Sequence, residues 1–189
     1  MAKVNPGKRF EREFKKSMDA AGYAMRIHDR CFLAPSGRLV SEPSEADFVF
    51  FAANGHSYLI ECKATHTARL PYDNVRPEQI SELERFEAIS DMHHSIIAVN
   101  FYGESTRQKN DLYLVGLPEF KGKRAATLRK SLSEREAEAI GYKCERQKGA
   151  IWGLPLQKEP PWESTCTDDL VSAKNTAAPQ EANRASRKA

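Results

Sequence analysis

The sequence predicts an α/β fold, and three observations carry that expectation. An amphipathic helix opens the chain, two short apolar runs flank Asn54-Gly55 as paired strands would, and a second helix precedes two further apolar runs. Helix-period and strand-period patterns alternating along one chain indicate layers packed on a common core. With 189 residues, 40% of them hydrophobic, the chain has material for one such core and not for two full domains.

Asn5 is placed to cap the first helix with Pro6 at its first position, and Phe10, Phe14, Met18 and Ala21 then recur at helical spacing up to Gly22. At about 100° per residue, Glu11 falls about 65° from the centre of that stripe and Glu13 about 95° on the other side, so Glu11 is expected to border the core. Residues 30–45 are polar and punctuated by Pro and Gly, which predicts a loop or a short projecting hairpin. Phe48-Val49-Phe50-Phe51 and Tyr58-Leu59-Ile60 should pair antiparallel around Asn54-Gly55.

Pro77 opens the second helix, with Ile80, Leu83, Phe86 and Ile89 as its buried side. Gln79 lies near the middle of that side, where an amide is costly without a partner; a loop carbonyl is one candidate. Ser95 to Phe101 and Leu112 to Leu117 read as strands joined by a charged loop around Gly103 to Asn110. Ser133 to Glu136 has capping-box spacing for a helix ending near Gly141. From Gln157 large apolar residues are scarce and charges balance, which predicts a folded domain over 1–156 and a disordered tail over 157–189.

Twenty-nine basic side chains against 26 acidic ones give a net charge of +3, too little to announce a nucleic-acid partner. The distribution says more: residues 1–30 hold eight basic groups against four acids, and residues 121–148 hold nine against four. Flanks of that kind suit phosphate contacts around a near-neutral centre, and equally suit solvated helix faces. The four cysteines, Cys31, Cys62, Cys144 and Cys166, lack metal-knuckle spacing and suggest a reducing compartment. With no long apolar run and no signal-like N-terminus, a cytoplasmic protein with no membrane association is expected.

The chemistry concentrates at Asp47, Glu61 and Lys63. Residues i and i+2 of a strand share a face, so Glu61 and Lys63 point together while Cys62 turns into packing. Paired carboxylates favour a hard ion such as Mg²⁺, with Mn²⁺ as substitute, which could activate water and offset charge on a phosphate. Lys63 would position or help activate that water, or neutralise the phosphate. A two-residue Asn54-Gly55 turn would put Asp47 opposite Cys62, on the wrong face; an odd-length loop such as Asn54 to His56, or a bulge near Asp47, is required.

In Asn5-Pro-Gly-Lys-Arg-Phe-Glu11, Glu45-Ala46-Asp47-Phe48, Tyr58 to Thr65, Leu70-Pro71-Tyr72 and Glu78-Gln79-Ile80, the sequence resembles the PD-(D/E)XK nuclease superfamily, specifically its RecU-like Holliday junction resolvases of bacteria and phages. Ala46 stands where the superfamily name has proline. The resemblance implies a restriction-endonuclease-like core, a mixed central sheet flanked by α-helices. It also implies a metal-dependent endodeoxyribonuclease resolving four-way DNA junctions by paired nicks in recombination and repair. Asp47 and Glu61 would be metal ligands, with the Cys62 carbonyl a further one and Glu11 completing or supporting the site; Lys63 would be the catalytic lysine and Gln79 the helix residue facing it.

Lys8, Arg9, Arg12 and Lys15 on the first helix, with Thr65 and His66 beyond the motif, are the candidate DNA contacts. The two-fold symmetry of a junction suggests a homodimer. Alternatives are a restriction- or repair-type nuclease of the same superfamily and a catalytically silent DNA-binding protein. His93-His94 cannot chelate as neighbours, and Trp152 reads as packing, whereas Trp162 is undetermined.

Overall fold

The structure, a computed structural model, describes residues 5–103, 110–147 and 151–156. The expected disordered tail, the charged stretch 104–109, Trp162 and Cys166 lie outside the described residues. In chain order the elements are α1 (Pro6–Ala21), β1 (Tyr23–Arg26), β2 (Arg30–Leu33), β3 (Leu39–Glu42), β4 (Phe48–Phe51), β5 (Ser57–Thr65) and β6 (Arg69–Pro71). A 3-10 turn (Tyr72–Asn74) leads to α2 (Pro77–Glu87), β7 (His93–Tyr102), β8 (Asn110–Gly116), α3 (Leu117–Ala126), β9 (Ser131–Ser133) and α4 (Glu134–Ile140). Three short strands follow: β10 (Tyr142–Cys144), β11 (Arg146–Gln147) and β12 (Ile151–Trp152).

Six strands form one mixed sheet in the order β1-β4-β5-β7-β8-β10. β5 and β7 are parallel, with α2 in the crossover that a parallel pair requires, and the other neighbours are antiparallel. The expected α/β class, a mixed sheet between helices, is what the chain forms. Residues of alternating parity face opposite ways. Phe48, Phe50, Tyr58, Ile60, Ile96 and Ala98 pack with Phe10, Phe14 and Met18 of α1. Leu59, Ile97, Val99 and Tyr113 pack with Leu83 of α2 and Phe120 of α3.

Local chemistry explains the element ends. Asn5 Oδ1 accepts from Gly7 N–H at 2.9 Å, with Pro6 opening α1. Gly22 ends it where a Cβ would stand 2.7 Å from Phe51 O, so only glycine lets the helix end close on β4. Ser133 and Glu136 cap each other at α4, which stops at Gly141. Residues 30–45 do make a hairpin, β2 with β3, and Phe32, Leu33 and Leu39 are exposed on it.

One expectation needs correction. Ile89 is 65% exposed because α2 stops at Glu87, and the turn that follows carries Ile89 away from the core. Glu11 and Glu13 of α1 are both partly sheltered, their side chains 20% and 16% exposed. The last described strands lie against α1, with Trp152 edge-on to Phe10 and Arg146 reaching Glu13, and they cover the flank that the helix alone leaves open.

Candidate functional site

The geometry is set by how β4 returns to β5. Phe48 pairs with Ile60 and Phe51 with Ser57, while Ala52 N–H donates to His56 O. The loop is therefore the odd-length Ala53-Asn54-Gly55, closed by Gly55 N–H to Ala52 O with Gly55 at φ +89°, a three-residue hairpin in which glycine takes the left-handed position. Extending the ladder one step would set Asp47 across from Glu61. Asp47 N–H instead donates to Ile60 O, one residue out of step, so Asp47 sits at a bulge. The odd-length loop is one of the two alternatives that the sequence allowed, centred on Asn54 rather than on Gly55, and the bulge at Asp47 is the other.

From that bulge the Asp47 carboxylate turns to cap the strand beside it: Oδ2 accepts from Cys62 N–H at 2.8 Å. On the α2 face, Lys63 Nζ lies 2.6 Å from Glu61 Oε1 and donates to Gln79 Oε1 at 3.3 Å. Gln79, 4% exposed, is the buried amide that the helical pattern marked, and its Oε1 also accepts from Arg76 N–H at 3.1 Å. Its partners are thus the α2 start and the site lysine together.

Burial dominates the electrostatics. Glu61 is 2% exposed, and desolvation, reinforced by the Asp47 charge, pushes its carboxyl up to about 7 against the opposing pull of Lys63 and Gln79. Burial likewise raises Asp47, opposed by the Cys62 hydrogen bond and Lys63. The Cys62 thiol, packed toward the α1 cluster, is raised by burial with Asp47, Glu61 and Glu11 around it.

The other candidates fall in different places. Glu11 is raised by burial and by Asp47, which places it in that field, yet its carboxylate is held by Arg26 of β1. Arg26 also acts electrostatically on Asp47 and Asp29, a role that no local pattern signals. On α1, Arg9 and Lys15 pair with Glu13 and Asp19, whereas Lys8 and Arg12 make no ion pair among the described residues. Thr65 is buried, and its hydroxyl is engaged with Thr67 and Arg69 in the turn into β6. His66 is exposed, its ring 6.3 Å from that of Tyr102.

The second basic segment is largely neutralised. Lys121, Lys123, Arg124, Lys143 and Arg146 reach Glu84, Glu136, Asp73, Asp111 and Glu13 respectively, so they fasten elements to one another. His94 is buried, with Nε2 2.6 Å from His56 Nδ1, while His93 stacks on Phe86. The doublet therefore splits across the sheet. Among the described residues no helix is long and apolar enough to cross a membrane.

Among the described residues no three His, Cys, Asp or Glu side chains are gathered as a ready-made ion cage. The donor set nevertheless fits a hard divalent cation. Glu61 Oε2 is buried without a hydrogen-bond partner, and an oxygen-bound ion such as Mg²⁺ needs only one or two carboxylates, with water completing its shell.

No family model matches the chain, and no curated protein matches it in sequence. Among solved structures it is similar to Hjc, a Holliday junction resolvase from the archaeal hyperthermophile Archaeoglobus fulgidus. The identity is 18% and the TM-score 0.45, over 72% of this chain and 95% of that one. At that level of likeness, activity has to be argued from the site itself.

Proposed function

We propose that this protein is a metal-dependent endodeoxyribonuclease that cuts four-way DNA junctions as a homodimer. The observation that carries the reading is the buried Glu61 carboxylate, Oε1 on Lys63 at 2.6 Å and Oε2 with no hydrogen-bond partner among the described residues, beside Asp47 at the bulge. Burying an acid oxygen without a hydrogen bond is expensive, and a bound cation would offset that cost. Asp47, Glu61 and the Cys62 carbonyl would hold Mg²⁺ or Mn²⁺, which when bound lowers the pKa of a water and offsets charge on the scissile phosphate.

The chain's own groups do the rest. Cys62 N–H fixes Asp47, and Gln79 keeps the Lys63 ammonium beside Glu61. From there Lys63 donates to a non-bridging phosphate oxygen. Water adds at phosphorus and gives up a proton to solvent, one bridging P–O bond breaks, and the leaving oxygen takes up a proton from solvent. Lys8 and Arg12 of α1, which make no ion pair among the described residues, supply backbone contacts. The two-fold symmetry of a junction asks for two such sites, hence the dimer.

Incubating purified protein with a synthetic four-way junction, a matched duplex and Mg²⁺ tests the reading. Junction cleavage should exceed duplex cleavage, and Lys63→Ala and Asp47→Asn should lose at least about a thousandfold in rate while still binding. Equal cutting of both substrates would favour a restriction- or repair-type nuclease. Binding without cleavage by the unaltered protein would leave a silent DNA-binding protein. Light scattering reads the dimer, and a monomer at micromolar concentration would remove it.

A further inference from the structure

The site draws on two pieces of chain that come from different directions. Asp47 ends the segment 43–47 leaving the β2–β3 hairpin, whereas Gln79 rides on α2. Between them lies a cleft of about 220 Å³, lined by Ser44 and Ala46 on one side, Glu82 and Arg85 of α2 on the other, and Leu59 of β5. One side chain ties the two pieces together: the Arg76 guanidinium, just before α2, donates to Ser44 O at 3.1 Å. Among the described residues no other hydrogen bond or ion pair joins 43–47 to α2.

Ser44 is gripped from both sides, since its N–H donates to Asp29 Oδ1 at 2.9 Å. Three residues on, Asp47 N–H reaches Ile60 O and Asp47 O accepts from Ile27 N–H. Released from Arg76, segment 43–47 would keep its sheet bonds at Asp47 and lose the anchor that sets its approach. Arg76 meets the other half of the site through its backbone, where its N–H donates to Gln79 Oε1. Truncating the side chain would therefore loosen the Asp47 end and leave the Gln79–Lys63 contact in place.

We infer that Arg76 is a positioning residue that holds the Asp47 segment against α2 and thereby sets the carboxylate geometry for the metal. The inference rests on the nuclease reading above. Groups that orient a ligand commonly change metal affinity by 10- to 100-fold when removed. A guanidinium serves this purpose because its donors are rigid and its charge is permanent.

The test compares the unaltered protein with Arg76→Ala and Arg76→Lys by three readouts. Mn²⁺ binding, followed by electron paramagnetic resonance of the free ion, should weaken about tenfold or more in Arg76→Ala. The metal concentration for half-maximal junction cleavage should rise by the same factor, with the rate at saturating metal within about threefold, because Lys63 is untouched. Without metal, amide exchange at Cys62, whose N–H is held by Asp47, should speed up more than exchange in β7 and β8.

Arg76→Lys, which keeps one donor, should recover part of each loss. Mn²⁺ affinity and Cys62 exchange unchanged in Arg76→Ala would overturn the inference, as would exchange accelerated equally across the sheet. Should Arg76→Ala fail to fold, Arg76→Lys carries the same comparison. An unaltered protein that neither binds Mn²⁺ nor cleaves DNA overturns the nuclease reading and this inference with it, an outcome visible before any variant is made.

Discussion

On the face toward α1, strands β4, β5 and β7 offer Phe48, Phe50, Tyr58, Ile60, Ile96 and Ala98 to Phe10 and Phe14. On the face toward α2 the same strands offer Val49, Leu59, Ile97 and Val99, and among them Glu61 and Lys63. The backbone is shared, so the difference lies in what each face is for. Apolar burial contributes stability roughly in proportion to area, whereas a buried carboxylate subtracts from it unless fully paired. The first face holds the sheet to its helix. The second gives up stability at one point, and a chain tolerates that where the group is needed for chemistry.

The contrast breaks most directly on the α1 face. Phe14 is fully buried, tilted against Phe10 and edge-on to Phe48. Phe14→Ala should lose about 3–5 kcal/mol of unfolding free energy, read from denaturant titration. A loss below about 1 kcal/mol would mean that this face does not carry the fold.

The α2 face should show the opposite sign. Glu61 titrates near 4.5 when unfolded and about 7 when folded, so between those values the folded state holds the extra proton. Stability from this group is present below about pH 4.5 and is lost as pH rises toward 7. The ionised form costs at most about 3 kcal/mol at neutral pH. Asp47, also raised, adds in the same direction. In metal-free protein, melting temperature should fall over that range; Glu61→Gln should flatten the fall and abolish cleavage, and Mg²⁺ should flatten it in the unaltered protein. A rise in stability from pH 4.5 to 7 would refute the assignment.

Gln79 sits between these extremes, because it is polar, buried and satisfied. Gln79→Leu removes an acceptor from both Arg76 N–H and Lys63, which should lower stability by about 1–2 kcal/mol and junction cleavage about tenfold. Unchanged cleavage would show that Lys63 holds its place through Glu61 alone.

Much of this was legible in the sequence, for reasons that can be named. Strand parity demanded an odd loop or a bulge at Asp47, because a slip of one residue reverses every side chain; the loop Ala53 to Gly55 meets that demand. Gln79 announced itself as an amide on an apolar stripe. What stayed hidden depends on distant backbone. Arg76 reaches a carbonyl 32 residues away, and Arg26 meets a carboxylate 15 residues back. His56 and His94 touch because parallel register sets Tyr58 beside His94, and no local pattern encodes that alignment. Glu13 is sheltered by strands whose position against α1 composition does not reveal.

The finest test of the two faces uses one strand and neighbouring residues. Cys62 lies between Glu61 and Lys63 on β5, yet its side chain packs against the α1 cluster. Only its backbone belongs to the site, through the N–H that holds Asp47 and the carbonyl proposed to face the metal. Cys62→Ala keeps both, and should cost about 1 kcal/mol from the lost sulfur contacts while leaving cleavage within about twofold. Its raised thiol pKa also predicts slow alkylation in the folded state and fast alkylation on unfolding. If Cys62→Ala instead lost cleavage as Lys63→Ala does, the thiol would have to reach the charged side, and the separation of the two faces at β5 would fail at the residue where it is narrowest.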